Sequence, residues 1–80
     1  MRPVFVMVKC ALGKAYEVAA VAVDTIDEVS EVYSISGQYD LLVKCYLDSE
    51  TDMGRFVTSR IQTLPHVTDT YTIVTFNAFT

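Results

Sequence analysis

The stretch Val29–Leu47, VSEVYSISGQYDLLVKCYL, decides the fold. Val29 to Ser36 and Asp40 to Leu47 are rich in β-branched and aromatic residues, which suit a pleated, half-buried surface. Gly37 lies between them, as expected for an antiparallel hairpin with a loop of about three to five residues.

Working outward toward the N-terminus, Val4 to Cys10 reads as a strand, with Pro3 at its edge where the missing N–H removes no ladder bond. Lys14 to Thr25, KAYEVAAVAVDT, favours a helix through its alanines, with Gly13 as the break before it. Ala15, Val18, Ala19 and Ala22 form one apolar face, and Tyr16, Ala20, Val21 and Val23 continue around the helix. A helix apolar nearly all round needs two neighbours. Toward the C-terminus, Ser49-Glu-Thr-Asp52 is a capping-box pattern, with Ser49 as the expected cap and Asp52 reaching back. Met53, Phe56, Val57, Ile61 and Leu64 follow at helical spacing, interrupted only by Arg60. Pro65 ends this helix, and Val67 to Phe79 reads as a long last strand.

The element order β-α-β-β-α-β belongs to the α+β class in its ferredoxin-like form: a four-stranded antiparallel sheet with two helices on one face. An internal repeat supports it. Val29 to Ile35, VSEVYSI, aligns with Val67 to Ile73, VTDTYTI, and Val8-Lys-Cys10 aligns with Val43-Lys-Cys45. Both halves read as copies of one βαβ unit.

Eighty residues make one domain, 1–80, whose core is small for its surface. Half the residues are hydrophobic (51%) and 20% are charged, more apolar material than so small a body hides alone. Phe5, Met7, Leu42 and Tyr46 keep the second face of the sheet apolar around Lys44. Two helices cover one face only, so a second copy pairing sheet to sheet about a two-fold axis, as in a dimeric α/β barrel, is the expected layer. The net charge of -4 repels a phosphate backbone, so direct nucleic-acid binding is not expected. Cys10 and Cys45 have no metal-ligand spacing and read as buried reduced thiols. The apolar runs are too short to span a membrane and the N-terminus lacks a signal-peptide pattern, which points to the cytoplasm.

The turn SGQYD before a strand, together with LPHVTDTYTIV, resembles the effector-binding domain of the leucine-responsive and asparagine regulator (Lrp/AsnC) family along essentially the whole chain. Strand one begins at residue 4, so no helix-turn-helix is expected and the chain looks like the stand-alone module called RAM, for regulation of amino acid metabolism. The resemblance implies the ferredoxin-like fold, sheet-facing dimers, octameric or decameric rings of dimers, and amino-acid effectors held between dimers. Carried over by position, Ser36, Gly37, Gln38, Tyr39, Asp40, Thr70 and Thr72 are the implied ligand-binding residues. His66 stands where the family pattern has glycine.

The residue types fit such a ligand. Gly37 adopts positive φ readily and lets backbone amides approach a carboxylate, Asp40 accepts from an ammonium group, and Tyr39 offers a wall. Thr70 and Thr72, two apart on a strand, share a face. Read without the resemblance, the same residues serve a hairpin and a strand. His66 reads as a turn residue and not a catalytic base, and Asp24, Asp27, Glu28 and Glu31 read as a solvated connection and not a metal site. The expected protein is therefore no enzyme and needs no cofactor. It senses an amino acid and acts through partners, full-length Lrp/AsnC regulators among them. Two alternatives stay open: a small monooxygenase or isomerase of the dimeric α+β barrel type, and an assembly module without ligand.

Overall fold

The computed structural model describes residues 1–80. Strand β1 (Arg2–Cys10) is followed by helix α1 (Ala15–Thr25), strands β2 (Val29–Ser34) and β3 (Leu41–Leu47), helix α2 (Met53–Phe56) continuing into a π-helical segment (Val57–Ile61), and strand β4 (Val67–Val74). The strands form one sheet in the order β2-β3-β1-β4, with every neighbouring pair antiparallel. This is the ferredoxin-like arrangement that the element order implies.

Strand alternation divides the sheet into two unlike faces. Val4, Val6, Val8 and Cys10 of β1 and Leu41, Val43, Cys45 and Leu47 of β3 point toward the helices and are buried. Val18 and Ala22 of α1, Ile26, and Phe56, Val57 and Ile61 close over them, giving a core of 14 residues, all apolar. No charged or polar side chain competes for that space. On the opposite face Phe5, Met7, Leu42 and Tyr46 are half-buried, and Tyr33, Tyr71 and Ile73 are exposed. Lys44 sits among them. Its ammonium lies 5.1 Å from the centre of the Tyr46 ring and 5.9 Å from that of Phe5, and Glu31 is 3.6 Å away. The charge is held by aromatic faces and one carboxylate.

The outward side of α1 stays uncovered, with Tyr16, Val21 and Val23 exposed, so this chain supplies only one of the two neighbours that its composition asks for. Strand β1 starts at Arg2 and takes Pro3 inside it, the second helix ends at Ile61 short of Leu64, and three further boundaries differ from expectation. Helix α2 is capped by Asp52, whose Oδ1 accepts from the Arg55 amide at 3.0 Å, and not by Ser49; Asp48 instead takes the Glu50 amide and Thr51 hydroxyl in the preceding turn. Strand β2 stops at Ser34, because the next residues leave the ladder to form the turn. Strand β4 stops at Val74, opposite Val4; the next residue along β1 is Pro3, which has no N–H to offer.

The internal repeat survives in three dimensions. Cys10 pairs with Val67 and Lys9 with Asp69, so Thr68 is an extra, bulged residue; Cys45 pairs with Val29 and Lys44 with Glu31, leaving Ser30 extra in the same way. Tyr71 opposite Met7 and Tyr33 opposite Leu42 continue the correspondence.

Candidate functional site

The turn between β2 and β3 is fixed onto the end of β1. Ile35 N–H donates to the Asp40 carbonyl at 2.9 Å, which closes residues 36–39 into a loop, and Gly37 takes φ 111 within it. A Cβ at Gly37 would meet nothing within 4 Å, so the glycine serves the backbone angle and not a close approach. The Asp40 amide donates to the Val8 carbonyl at 2.9 Å, and Asp40 Oδ2 accepts from the Cys10 amide at 2.7 Å. Lys9 Nζ donates to the Gln38 carbonyl at 3.0 Å. Tyr39 tilts against Tyr71, ring centres 6.2 Å apart. Asp40 is thus a latch first: one carboxylate oxygen satisfies a part-buried amide and the other stays outside that bond.

Beside this latch lies an open cavity of about 590 Å³ between the end of β1, the β1–α1 loop and Asp40. Its lining contains one cation, Lys9, and one anion, Asp40. Ala11, Leu12, Ala15 and Tyr16 supply the apolar part, and Thr68 is carried in by the bulge, its hydroxyl donating to the Lys9 carbonyl at 3.1 Å. Gly13 turns the loop at φ 76. The loop is anchored from the other side by the Ala11 amide, which donates to the His66 carbonyl at 2.8 Å. His66 itself takes φ 73, the left-handed conformation that the family's glycine would supply, so the turn shape is kept by a residue that bears a cost of about 1 kcal/mol for it.

Burial raises the Cys10 thiol above its ordinary range, and the neighbouring Asp40 carboxylate raises it further. Both effects disfavour the thiolate, the nucleophilic form. Cys45, at the equivalent place in the other repeat, is pushed up to about 11, first by burial and then by Glu28.

Of the residues implied by the sequence, Asp40 alone lines the cavity, and Ser36, Gly37, Gln38 and Tyr39 form the turn beside it. Thr70 and Thr72 lie on the helix-facing side of β4 and do not line the cavity. Thr70 Oγ1 accepts from Gln62 Nε2 at 2.8 Å in an adjoining depression that shares Thr68, whereas Thr72 lies farther along, beside Met53 and Val57. Sequence reasoning missed Lys9, Leu12, Tyr16 and Thr68. Only the doubled Val-Lys-Cys, compared across the two repeats, carried a signal for that corner. No group of three or more potential metal ligands occurs, and no helix is long and apolar enough to cross a membrane.

The pattern of the Lrp/AsnC ligand binding domain matches residues 3–80. This chain belongs to that family. The regulator FL11 of Pyrococcus abyssi, an HTH-type transcriptional regulator, is 33% identical over 70 residues, 88% of this chain and 45% of its own. The chain thus spans less than half the length of that relative. Among solved structures, FFRP-DM1 superposes with a TM-score of 0.86 at 33% identity, covering 95% of this chain and 100% of its own. The protein TTHA0845 of Thermus thermophilus gives 0.88 at 28% identity, covering 100% of this chain and 99% of its own. Both carry the same architecture along nearly the whole of the chain.

Proposed function

We propose that the chain is a non-enzymatic sensor and assembly module that holds an α-amino acid in the cavity beside Asp40 and acts on transcription through partners, full-length regulators of the family included. The observation that carries this reading is the charge content of the cavity. A zwitterion presents one ammonium and one carboxylate, and Asp40 and Lys9 are one anion and one cation in a single lining. Asp40 Oδ1 receives the ammonium, while Lys9, already turned toward the Gln38 carbonyl, and the loop amides receive the carboxylate. Ser36, Gly37, Gln38 and Tyr39 hold the turn that carries Asp40, the Gln38 carbonyl accepting from Lys9 and Tyr39 packing on Tyr71. Thr70, bonded to Gln62 in the depression that shares Thr68, adjoins the cavity, and Thr72 lies outside it. A catalytic reading finds no support: His66 lies outside the lining, 3.9 Å from Glu17.

The apolar sheet face suits a second copy, giving the sheet-facing homodimer, and the uncovered side of α1 suits dimers assembling into octameric or decameric rings in the cytoplasm. Sedimentation at micromolar concentration is expected to give a dimer or larger; a monomer would remove this part.

Thermal unfolding against each common amino acid tests the sensor. A ligand at 100 times its Kd stabilises by about 2.7 kcal/mol, so a shift confined to a few related amino acids is expected. No shift with any of them would overturn the reading.

A further inference from the structure

We propose that the Lys44–Glu31 ion pair, with the Tyr33 hydroxyl, is the element of the outward sheet face that selects its partner. Closed within each chain, the cluster admits a face whose own charges are closed, that of a second copy, and disfavours a face that brings open charge. This rests on the sheet-facing dimer and adds which residues decide what pairs there.

Strand alternation places Lys44 on the outward face, in register with Glu31 on β2 and with Phe5 on β1. Its side chain is only 27% exposed, because the ammonium lies over the Tyr46 ring at 5.1 Å and the Phe5 ring at 5.9 Å. One carboxylate oxygen of Glu31 stands 3.6 Å from the ammonium, and the other accepts from the Tyr33 hydroxyl. Both charges are therefore met by groups of their own chain, and Lys44 has lost much of its water before any partner arrives. At one end of the same face Lys9 and Asp69 are also occupied from within, Lys9 by the Gln38 carbonyl and Asp69 by the Thr70 amide.

Between these groups the surface is apolar and aromatic, with Met7 flanked by Leu42 and Tyr71. An acidic or basic partner would bring charge that finds no free counter-charge there, and burying it unpaired is costly. A second copy brings the same closed pair and the same apolar rows, so neither side buries a lone charge. Removing one member of the pair leaves the other to be buried alone, whereas removing both does not.

The test is sedimentation equilibrium of the intact protein, diluted through the micromolar range, on the wild type, Glu31→Gln, Lys44→Met and the variant carrying both. Circular dichroism checks each fold; neither side chain belongs to the core. Each single variant is expected to raise the dimer Kd about tenfold or more, and the double variant to return it to within about threefold of the wild type. An unchanged Kd in either single variant, or losses that simply add in the double, would overturn the role of the cluster while leaving the dimer standing. A wild type that stays monomeric would remove the sheet-facing dimer and this inference with it.

Discussion

Lys9 of the first repeat stands opposite Asp69 across the ladder, and Lys44 of the second stands opposite Glu31. The second pair closes at 3.6 Å between aromatic rings. The first is open: Lys9 donates to Gln38 at 3.0 Å, and Asp69 accepts from the Thr70 amide at 2.9 Å. The same tripeptide and the same bulge have become a closed structural corner at one end of the sheet and an open chemical one at the other. What differs is what arrives beside the cysteine. At Cys45 the strand runs on and seats Leu47 in the core, opposite Arg2. At Cys10 the strand ends, Gly13 turns the chain out, and the β2–β3 turn brings Asp40 to bond the freed amide. A site has been made by interrupting a repeated element rather than by adding one.

The largest expected contrast lies between the two leucines. Leu47→Ala empties a fully buried position and is expected to cost about 2–5 kcal/mol in urea unfolding, whereas Leu12→Ala is expected to stay within about 0.5 kcal/mol. Equal effects would dissolve the comparison. The two cysteines sharpen it next. Cys45 ionises at about 11 in the folded protein against 9.0 for the free thiol, so the unfolded chain releases this proton first. Stability from it is complete below pH 9 and is lost as pH rises through about 11, a fall of about 3 kcal/mol. Cys45→Val is expected to remove that slope from stability measured against pH. Asp40→Ala strips the acceptor from the Cys10 amide, and a cost of about 1–2 kcal/mol is expected in the same unfolding assay, so loss of ligand binding in that variant has to be read on protein that is still folded. Smallest is His66→Gly, which relieves φ 73 but frees the unfolded chain; a net gain of about 0.5 kcal/mol is expected by thermal unfolding.

Much of this was legible in the sequence. β-Branched and aromatic content placed the four strands, with β2 and β4 drawn too long, and the buried sides of β1 and β3 alternate residue by residue. The VSEVYSI and VTDTYTI copies carried the repeat into matching bulges at Ser30 and Thr68. The bulges themselves were hidden, since which residue goes unpaired depends on the partner strand. Ser49, Thr51 and Asp52 are all capping types within four positions, and only the backbone decides that Asp52 takes the role. The SGQYD turn pointed to one residue of the cavity lining, Asp40. The β1–α1 loop, Ala11-Leu-Gly-Lys14, has an ordinary composition, and its meaning arises from Asp40 meeting Cys10 across 30 residues of sequence.

Amide hydrogen exchange of the intact protein, with and without a saturating amount of whichever amino acid raises its unfolding temperature, tests the asymmetry between the two repeats most directly. Slower exchange is predicted at residues 10–13 and 37–40, with no change at residues 29–31 and 45–47. Protection spread equally over both corners, or found only at the second, would contradict the assignment of the effector site to the interrupted repeat.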